Sequence, residues 1–401
     1  MLGRTLDDSF PLEVRRNITV LTVARTFANA AYRFSAPFLA TVARGLDASL
    51  TQVGVALTIA ELSGLLSPAT ARLVDRLGHR RGMVLGLVGV AIGCALAALS
   101  PGWIAFAVAV VVLSQSKVCF DLGMGSWTAH HVPYQRRSAV IGLTETSWAF
   151  GLLIGVSLMG VTVAIFGWPS PYVLAGVAIA AMAVVLWRRI EPGAGATAVV
   201  PRSERPPRVP LDGRARWVIG GALALMASTQ CLFVTFGSWL QDDHGFSDAA
   251  LAGVTFALGF GELAASLTSA RNTDRWGKER SAMFGALVMV PSALLLATGT
   301  LPLPLGITFV IVAVVGFEFA IVSVLAAGTT LIPASPARGL ALLITAGTFG
   351  RALFTWPATR AYESHGFTWP AAMTAGLASV AAIAMARAWR AQRRVPAEAQ
   401  R

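Results

Sequence analysis

Nine ionisable side chains stand inside long apolar stretches of this 401-residue chain: Arg25, Arg33, Glu61, Lys117, Asp121, Glu145, Glu262, Glu318 and Arg351. A charge facing lipid costs several kcal/mol, so each is expected to face a cavity or a partner. Their spacing gives them faces. Arg25, Asn29, Tyr32 and Arg33 fall at i, i+4, i+7 and i+8, a polar stripe along one side of a helix. Lys117 and Asp121 stand at i, i+4 and can pair within one helix, while Glu145 and Trp148 share a face at i, i+3. Convergence of these three faces would make a cavity with both signs of charge and an aromatic wall.

Such a cavity can couple a solute to protons. A buried carboxylate without a fixed cation tends to hold a proton, and one beside Arg or Lys stays ionised. A solute that switches one situation into the other links its own movement to the proton's. Asp121 and Glu145 are the first candidates to carry the proton, with Glu318 and Glu262 behind them. Arg25 and Lys117 are candidates to bind an anionic or zwitterionic solute or to tune those carboxylates. The plainer alternative at each position is a static salt bridge between helices.

The elements that position these residues follow from composition. The chain is 55% hydrophobic and 13% charged, with a mean hydropathy of +0.65, far from a soluble domain. About 20 apolar residues cross a bilayer as a helix. Twelve such runs are expected near 17–42, 50–71, 82–100, 102–126, 138–166, 171–188, 216–240, 249–270, 281–300, 303–332, 338–359 and 368–387. They are too long for barrel strands, which need only about 10 alternating residues.

The formal charge of +12 lies in alternate loops, which argues for membrane topology and against nucleic acid. It sets both termini in the cytoplasm of a multi-pass membrane protein with an even number of spans. Cys94, Cys119 and Cys231 lie within apolar runs, so a disulfide framework is not expected. The first run carries Arg25 and Arg33 and no small-residue cleavage site, so it is expected to stay as the first helix. No Walker loop or metal-binding His pair is present, and His130-His131 reads as a solvated helix end. The expectation is no enzyme, no metal and no cofactor.

The sequence repeats itself. Arg72-Leu-Val-Asp75-Arg76-Leu-Gly78-His-Arg-Arg81 returns as Arg271-Asn-Thr-Asp274-Arg275-Trp-Gly277-Lys-Glu-Arg280, and Gly54, Gly86, Gly253 and Gly285 keep the same offsets. Pro133 and Pro333, and Trp168-Pro169 and Trp369-Pro370, echo one another as well. Glu61 and Glu262 break the register, lying 14 and 12 residues before their Asp. The expected organisation is a cytoplasmic N-terminus (1–16), a six-helix bundle (17–189), a Pro- and Arg-rich cytoplasmic linker (190–215), a second six-helix bundle (216–387) and a cytoplasmic tail (388–401). The fold class is thus an all-α membrane protein of twelve transmembrane helices in two pseudo-symmetric bundles, an architecture that places solute near the midplane. Gly78 and Gly277 supply the freedom to reverse direction. Asp75 and Asp274 are expected to accept hydrogen bonds from a helix N-terminus and to pair with arginine. The small pairs Gly89/Gly93 and Gly151/Gly155 read as helix packing.

Twelve runs, a linker after the sixth and the Asp-Arg-x-Gly turn after the second resemble the major facilitator superfamily, whose loop reads Gly-x-x-x-Asp-Arg-x-Gly-Arg-Arg. Ala71 stands for the opening Gly, and His79 and Arg80 fill the last two places. The resemblance implies a secondary transporter whose repeated turns, with Arg72, Asp75, Arg76 and Gly78 and Arg271, Asp274, Arg275 and Gly277, latch the cytoplasmic side. It implies a cavity lined by helices 1, 4, 7 and 10, which brings Arg25, Lys117, Asp121, Gln230 and Glu318 near solute. The stretch from Lys117 through Glu145-Thr-Ser-Trp148 to Gly155 resembles bacterial efflux permeases. The expected function is proton-coupled efflux of a small organic solute by a monomer. Uptake symport of an organic anion or zwitterion, and a membrane sensor or lipid-handling protein on the same fold, are the alternatives.

Overall fold

The computed structural model describes residues 10–132, 136–192, 211–328, 330–332 and 336–393. Among the described residues all regular structure is helical. Twelve membrane segments follow in order: α1 (Leu12–Arg33), α2 (Leu50–Leu77), α3 (His79–Ala98), α4 (Trp103–His131), α5 (Gly142–Phe166), α6 (Ser170–Arg189), α7 (Gly213–Asp243), α8 (Asp248–Trp276), α9 (Lys278–Ala297), α10 (Leu303–Gly328), α11 (Arg338–His365) and α12 (Thr368–Gln392). Segments α2 to α12 are long and apolar enough to cross a membrane by composition alone. Segment α1 is not, because Arg15, Arg16, Arg25 and Arg33 dilute its hydropathy.

The expected first run, 17–42, is corrected. Its helix ends at Arg33, a turn fills 34–38, and a short helix Leu39–Gly45 resumes. Pro37 accounts for the break, since proline lacks the N–H and crowds the residue before it out of helical geometry. The linker prolines beyond Pro192, together with Pro133, Pro333 and the ends of the chain, lie outside the described residues.

The repeated stretch is also not a ten-residue turn. Arg72–Leu77 is the last part of α2, and α3 starts at His79, so the reversal falls on Gly78 alone, at φ +80° and ψ 158°. Gly277 does the same between α8 and α9, at φ +90° and ψ 136°. No residue with a Cβ is comfortable there. Eleven residues after each aspartate comes a second glycine with a packing duty. A Cβ on Gly86 would meet the backbone of Phe120 on α4, and one on Gly285 would meet the Gly316 carbonyl and Ala320 on α10. Both copies therefore use glycine to bring the third helix of the half against the fourth.

The chain divides into two compact units. The first takes the described residues of Met1–Glu204 with Phe246–Gly259, and the second those of Arg205–Gly245 with Phe260–Arg401. The start of α8 thus groups with the first unit. Within that unit α3 packs on α4 and α6, and α1 on α5. In the second, Ala222, Leu225, Met289, Val324 and Met385 form a core shared by α7, α9, α10 and α12. Small residues dominate these cores, as helix association in lipid relies on close approach rather than water exclusion.

Candidate functional site

One polar cluster in the first unit gathers the six ionisable residues that stand inside its apolar stretches. Arg25, on α1, donates from Nε to Asp121 Oδ1 at 3.1 Å and from a terminal nitrogen to Glu145 Oε1 at 2.7 Å, so it joins α4 and α5. The same nitrogen reaches the Thr144 carbonyl at 3.1 Å. Lys117 Nζ donates to the other Asp121 oxygen at 2.6 Å. The Asp121 carboxylate is therefore shared by two cations, and Arg25 by two carboxylates. Their exposures differ: the Asp121 side chain is 28% exposed and that of Glu145 is 47% exposed.

An aromatic wall stands beside these charges. Arg33 donates to the Trp148 carbonyl at 2.9 Å and lies 4.8 Å over the Trp148 ring. Lys117 Nζ is 5.5 Å from the Tyr32 ring centre and 5.6 Å from that of Trp148, within cation–π range of both. The Tyr32 hydroxyl donates to Glu61 on α2. The three arrays expected from spacing thus meet in one place, with Arg25, Arg33 and Lys117 against Glu61, Asp121 and Glu145. Three positive groups face three negative ones, and the cluster as a whole is neutral.

Helix α5 positions its half of the site through a widened turn at Gly151–Val156. This turn lies against α1. A Cβ on Gly151 would come 3.0 Å from Asn29 Cβ, and one on Gly155 would collide with Ala30 Cβ. Asn29, fully buried, donates from Nδ2 to Ser147 Oγ at 3.1 Å, while its Oδ1 has no hydrogen-bond donor among the described residues. The two glycines therefore set the distance at which Arg25 reaches Glu145. A similar widened turn occurs in α7 at Trp239–Asp243.

The candidates of the second unit lie on α7, α8, α10 and α11. Gln230 donates to Thr355 Oγ1 at 3.0 Å, a tie between α7 and α11. Glu318 accepts from Ser266 on α8, Glu262 is 2% exposed, and the Arg351 carbonyl accepts from Thr355 Oγ1 at 2.8 Å.

At the repeated turns, Arg72, Asp75 and Arg76 and their counterparts Arg271, Asp274 and Arg275 are exposed. Among the described residues Asp75 and Asp274 are exposed and make none of the hydrogen bonds expected of them. The buried anchor of the second copy is instead Glu279, 1% exposed, where the motif has an arginine. It accepts from Arg214 Nε at 2.8 Å, and Arg214 also donates to Thr330 Oγ1 at 3.0 Å. Reading by type missed Arg214 and Glu279, although the departure at position 279 was the signal. The reading of His130-His131 as solvated holds for exposed His130 alone. His131 stacks on Trp127 at 4.7 Å, pairs with Glu13 at 3.2 Å and meets His79 at 5.5 Å.

Similarity to known proteins matches this architecture. The structure resembles that of a bacterial homolog of the human lysosomal transporter Spinster, crystallised inward-facing and occupied, at a TM-score of 0.72 and 14% identity, over 95% of this chain and 97% of that one. It also resembles the human organic anion transporter MFSD10 (TETRAN), at a TM-score of 0.70 and 18% identity, over 94% of this chain and all of that one. No curated protein matches by sequence. The family model described as Major Facilitator Superfamily matches residues 21–355, most of both halves, and the chain belongs to that superfamily of membrane transporters.

Proposed function

We propose that this transporter couples a small organic solute to protons through the Arg25 bridge, with Glu145 carrying the proton. The observation behind this reading is the unequal setting of the two carboxylates that Arg25 holds. Asp121 has a cation on each oxygen and stays ionised, whereas Glu145 has one cation and nearly half its side chain open. In this reading Asp121 is the fixed counter-ion, and Glu145, the other first candidate, moves the proton.

The coupling sign follows from charge. Arg25, Lys117, Asp121 and Glu145 sum to zero with Glu145 ionised and to +1 with it protonated. A cationic solute group pairs with ionised Glu145 and is displaced when the proton arrives, which is exchange and serves efflux. The influence is reciprocal, since the solute equally disfavours the proton. An anionic group is instead drawn by the +1 state and travels with the proton, the uptake reading, which the cationic face of α1 also supports. Efflux is preferred through the resemblance to efflux permeases. The transporter works by alternating access as a monomer in a bacterial inner membrane, with both termini cytoplasmic as the arginine bias indicates.

Proteoliposomes with an imposed gradient, inside acid, test this. They should accumulate the organic cation ethidium, and Glu145→Gln should remove the dependence on the gradient while the protein stays folded. Gradient-driven transport that survives in Glu145→Gln would sink the assignment. Accumulation of the organic anion fluorescein with the interior alkaline would favour symport. Binding without flux would favour the sensor or lipid-handling reading.

A further inference from the structure

A groove of about 790 Å³ runs between α3 and α6, outside the charge cluster. Its walls are almost wholly apolar. On α3 they descend through Val84, Val88, Ile92, Ala95 and Leu99, and on α6 through Val173, Val177, Ala180 and Val184. From Val84 to Leu99 a helix rises about 22 Å, more than the roughly 15 Å of one leaflet's hydrocarbon. The groove is thus long enough to hold an extended acyl chain.

One end of this groove is cationic. Helix α3 begins and α6 ends there, which is why Arg80 lies 4.1 Å over the ring of Trp187, itself part of the groove wall. Helical spacing carries both apolar stripes into arginine. Arg81 stands three residues before Val84, and Arg188 stands four after Val184. Arg81, Arg188 and Arg189 are exposed, and the acidic residue that follows them is Glu191. Arg80 is already engaged by Trp187 and the Ile190 carbonyl, so the available donors are Arg81 and Arg188. Basic pockets at the ends of membrane helices bind anionic headgroups, and a phosphate accepts well from guanidinium.

We propose that this groove is a binding site for an anionic phospholipid, with one acyl chain between α3 and α6 and the phosphate held by Arg81 and Arg188. The ligand's two parts match the two parts of the site. Ordinary annular lipid needs only the apolar wall and would show no headgroup preference. The site is distinct from the transport pathway, so its occupant acts on stability and not on solute selection.

The test uses the full chain in detergent micelles, titrated with dioleoylphosphatidylglycerol, dioleoylphosphatidylcholine or glycerol 3-phosphate, and read by native mass spectrometry and thermal unfolding. Phosphatidylglycerol should bind more tightly than phosphatidylcholine and raise the unfolding temperature. Glycerol 3-phosphate, having no chain, should neither stabilise the protein nor compete. Each arginine near a phosphate contributes about fivefold in affinity, so the double variant Arg81→Ala/Arg188→Ala should lose roughly tenfold or more of the phosphatidylglycerol binding. Ala180→Phe, at an exposed groove position, should block the chain and lose it as well, with the arginines intact. Equal binding of the two lipids overturns the proposal. So does undiminished phosphatidylglycerol preference in either variant, or competition by glycerol 3-phosphate as strong as that of the intact lipid.

Discussion

Arg80 and Glu279 occupy the same place in the two copies of the repeated motif, five residues after Asp75 and Asp274, and carry opposite charges. Each turns back onto its own half. Arg80 lies over Trp187, and Glu279 accepts from Arg214, which in turn holds Thr330. The energetic weight is unequal. Removing one partner of a buried pair costs about 3–5 kcal/mol, and partly exposed Arg214 brings the expected cost of Glu279→Ala to about 2–3 kcal/mol. Arg80→Ala forfeits a cation–π contact of about 0.5–1 kcal/mol. Thermal unfolding in detergent should therefore fall several times further for Glu279→Ala, and equal losses would show that the buried carboxylate has no special role.

Asp121 and Glu145 should separate in their variants although both touch Arg25. Asp121→Asn removes the charge that Arg25 and Lys117 share, leaving two neighbouring cations with one counter-ion, and should lower the unfolding temperature as well as transport. Glu145→Gln keeps an acceptor for Arg25 at an open position. It should unfold near the wild-type temperature and lose only its response to pH. Equal destabilisation by the two substitutions would mean that Glu145 is as structural as Asp121.

Gly78 and Gly277 give a cleaner measure of backbone cost. A Cβ on Gly277 meets no atom within 4 Å, so an alanine there is penalised by φ and ψ alone, and Gly78 shares that left-handed φ. Such conformations cost about 1–3 kcal/mol for a residue with a Cβ. Gly253 also has open space but is helical, so Gly253→Ala should be neutral or slightly stabilising. Unfolding temperatures of the three variants should rank accordingly. A neutral Gly78→Ala would show that the reversal moves elsewhere at little cost.

Much of this site was legible in the sequence because charge in an apolar run is costly and helical spacing fixes faces. Lys117 with Asp121, and Glu145 with Trp148, group from their offsets alone. What spacing could not supply was the partner across helices. Nothing in the types of Tyr32 and Glu61, on different helices, announced their hydrogen bond, and Thr144 enters through a backbone carbonyl that any residue possesses. The duplication is legible in the matched offsets but its shape is not, since the helix runs through Asp-Arg until one glycine reverses it. Glu279 departs from the motif's arginine, and its burial, which no motif encodes, makes it the anchor.

Gly155 and Ala30 tie helix packing to the charge cluster. A Cβ on Gly155 collides with Ala30 Cβ, while its next nearest neighbour, Ala30 Cα, is at an ordinary 3.5 Å. Gly155→Ala should thus push α5 from α1 and cost about 1–3 kcal/mol by overpacking. The Arg25 contact to Glu145, on the same two helices, should lengthen with it, so gradient-driven flux should fall. Because one methyl causes the collision, removing the opposing methyl should relieve it. The double variant Gly155→Ala/Ala30→Gly should recover flux, and its stability should return to within the roughly 1 kcal/mol that a helical glycine costs relative to alanine. Should the double variant remain as impaired as the single one, the spacing between α1 and α5 would not be what holds Arg25 in reach of Glu145.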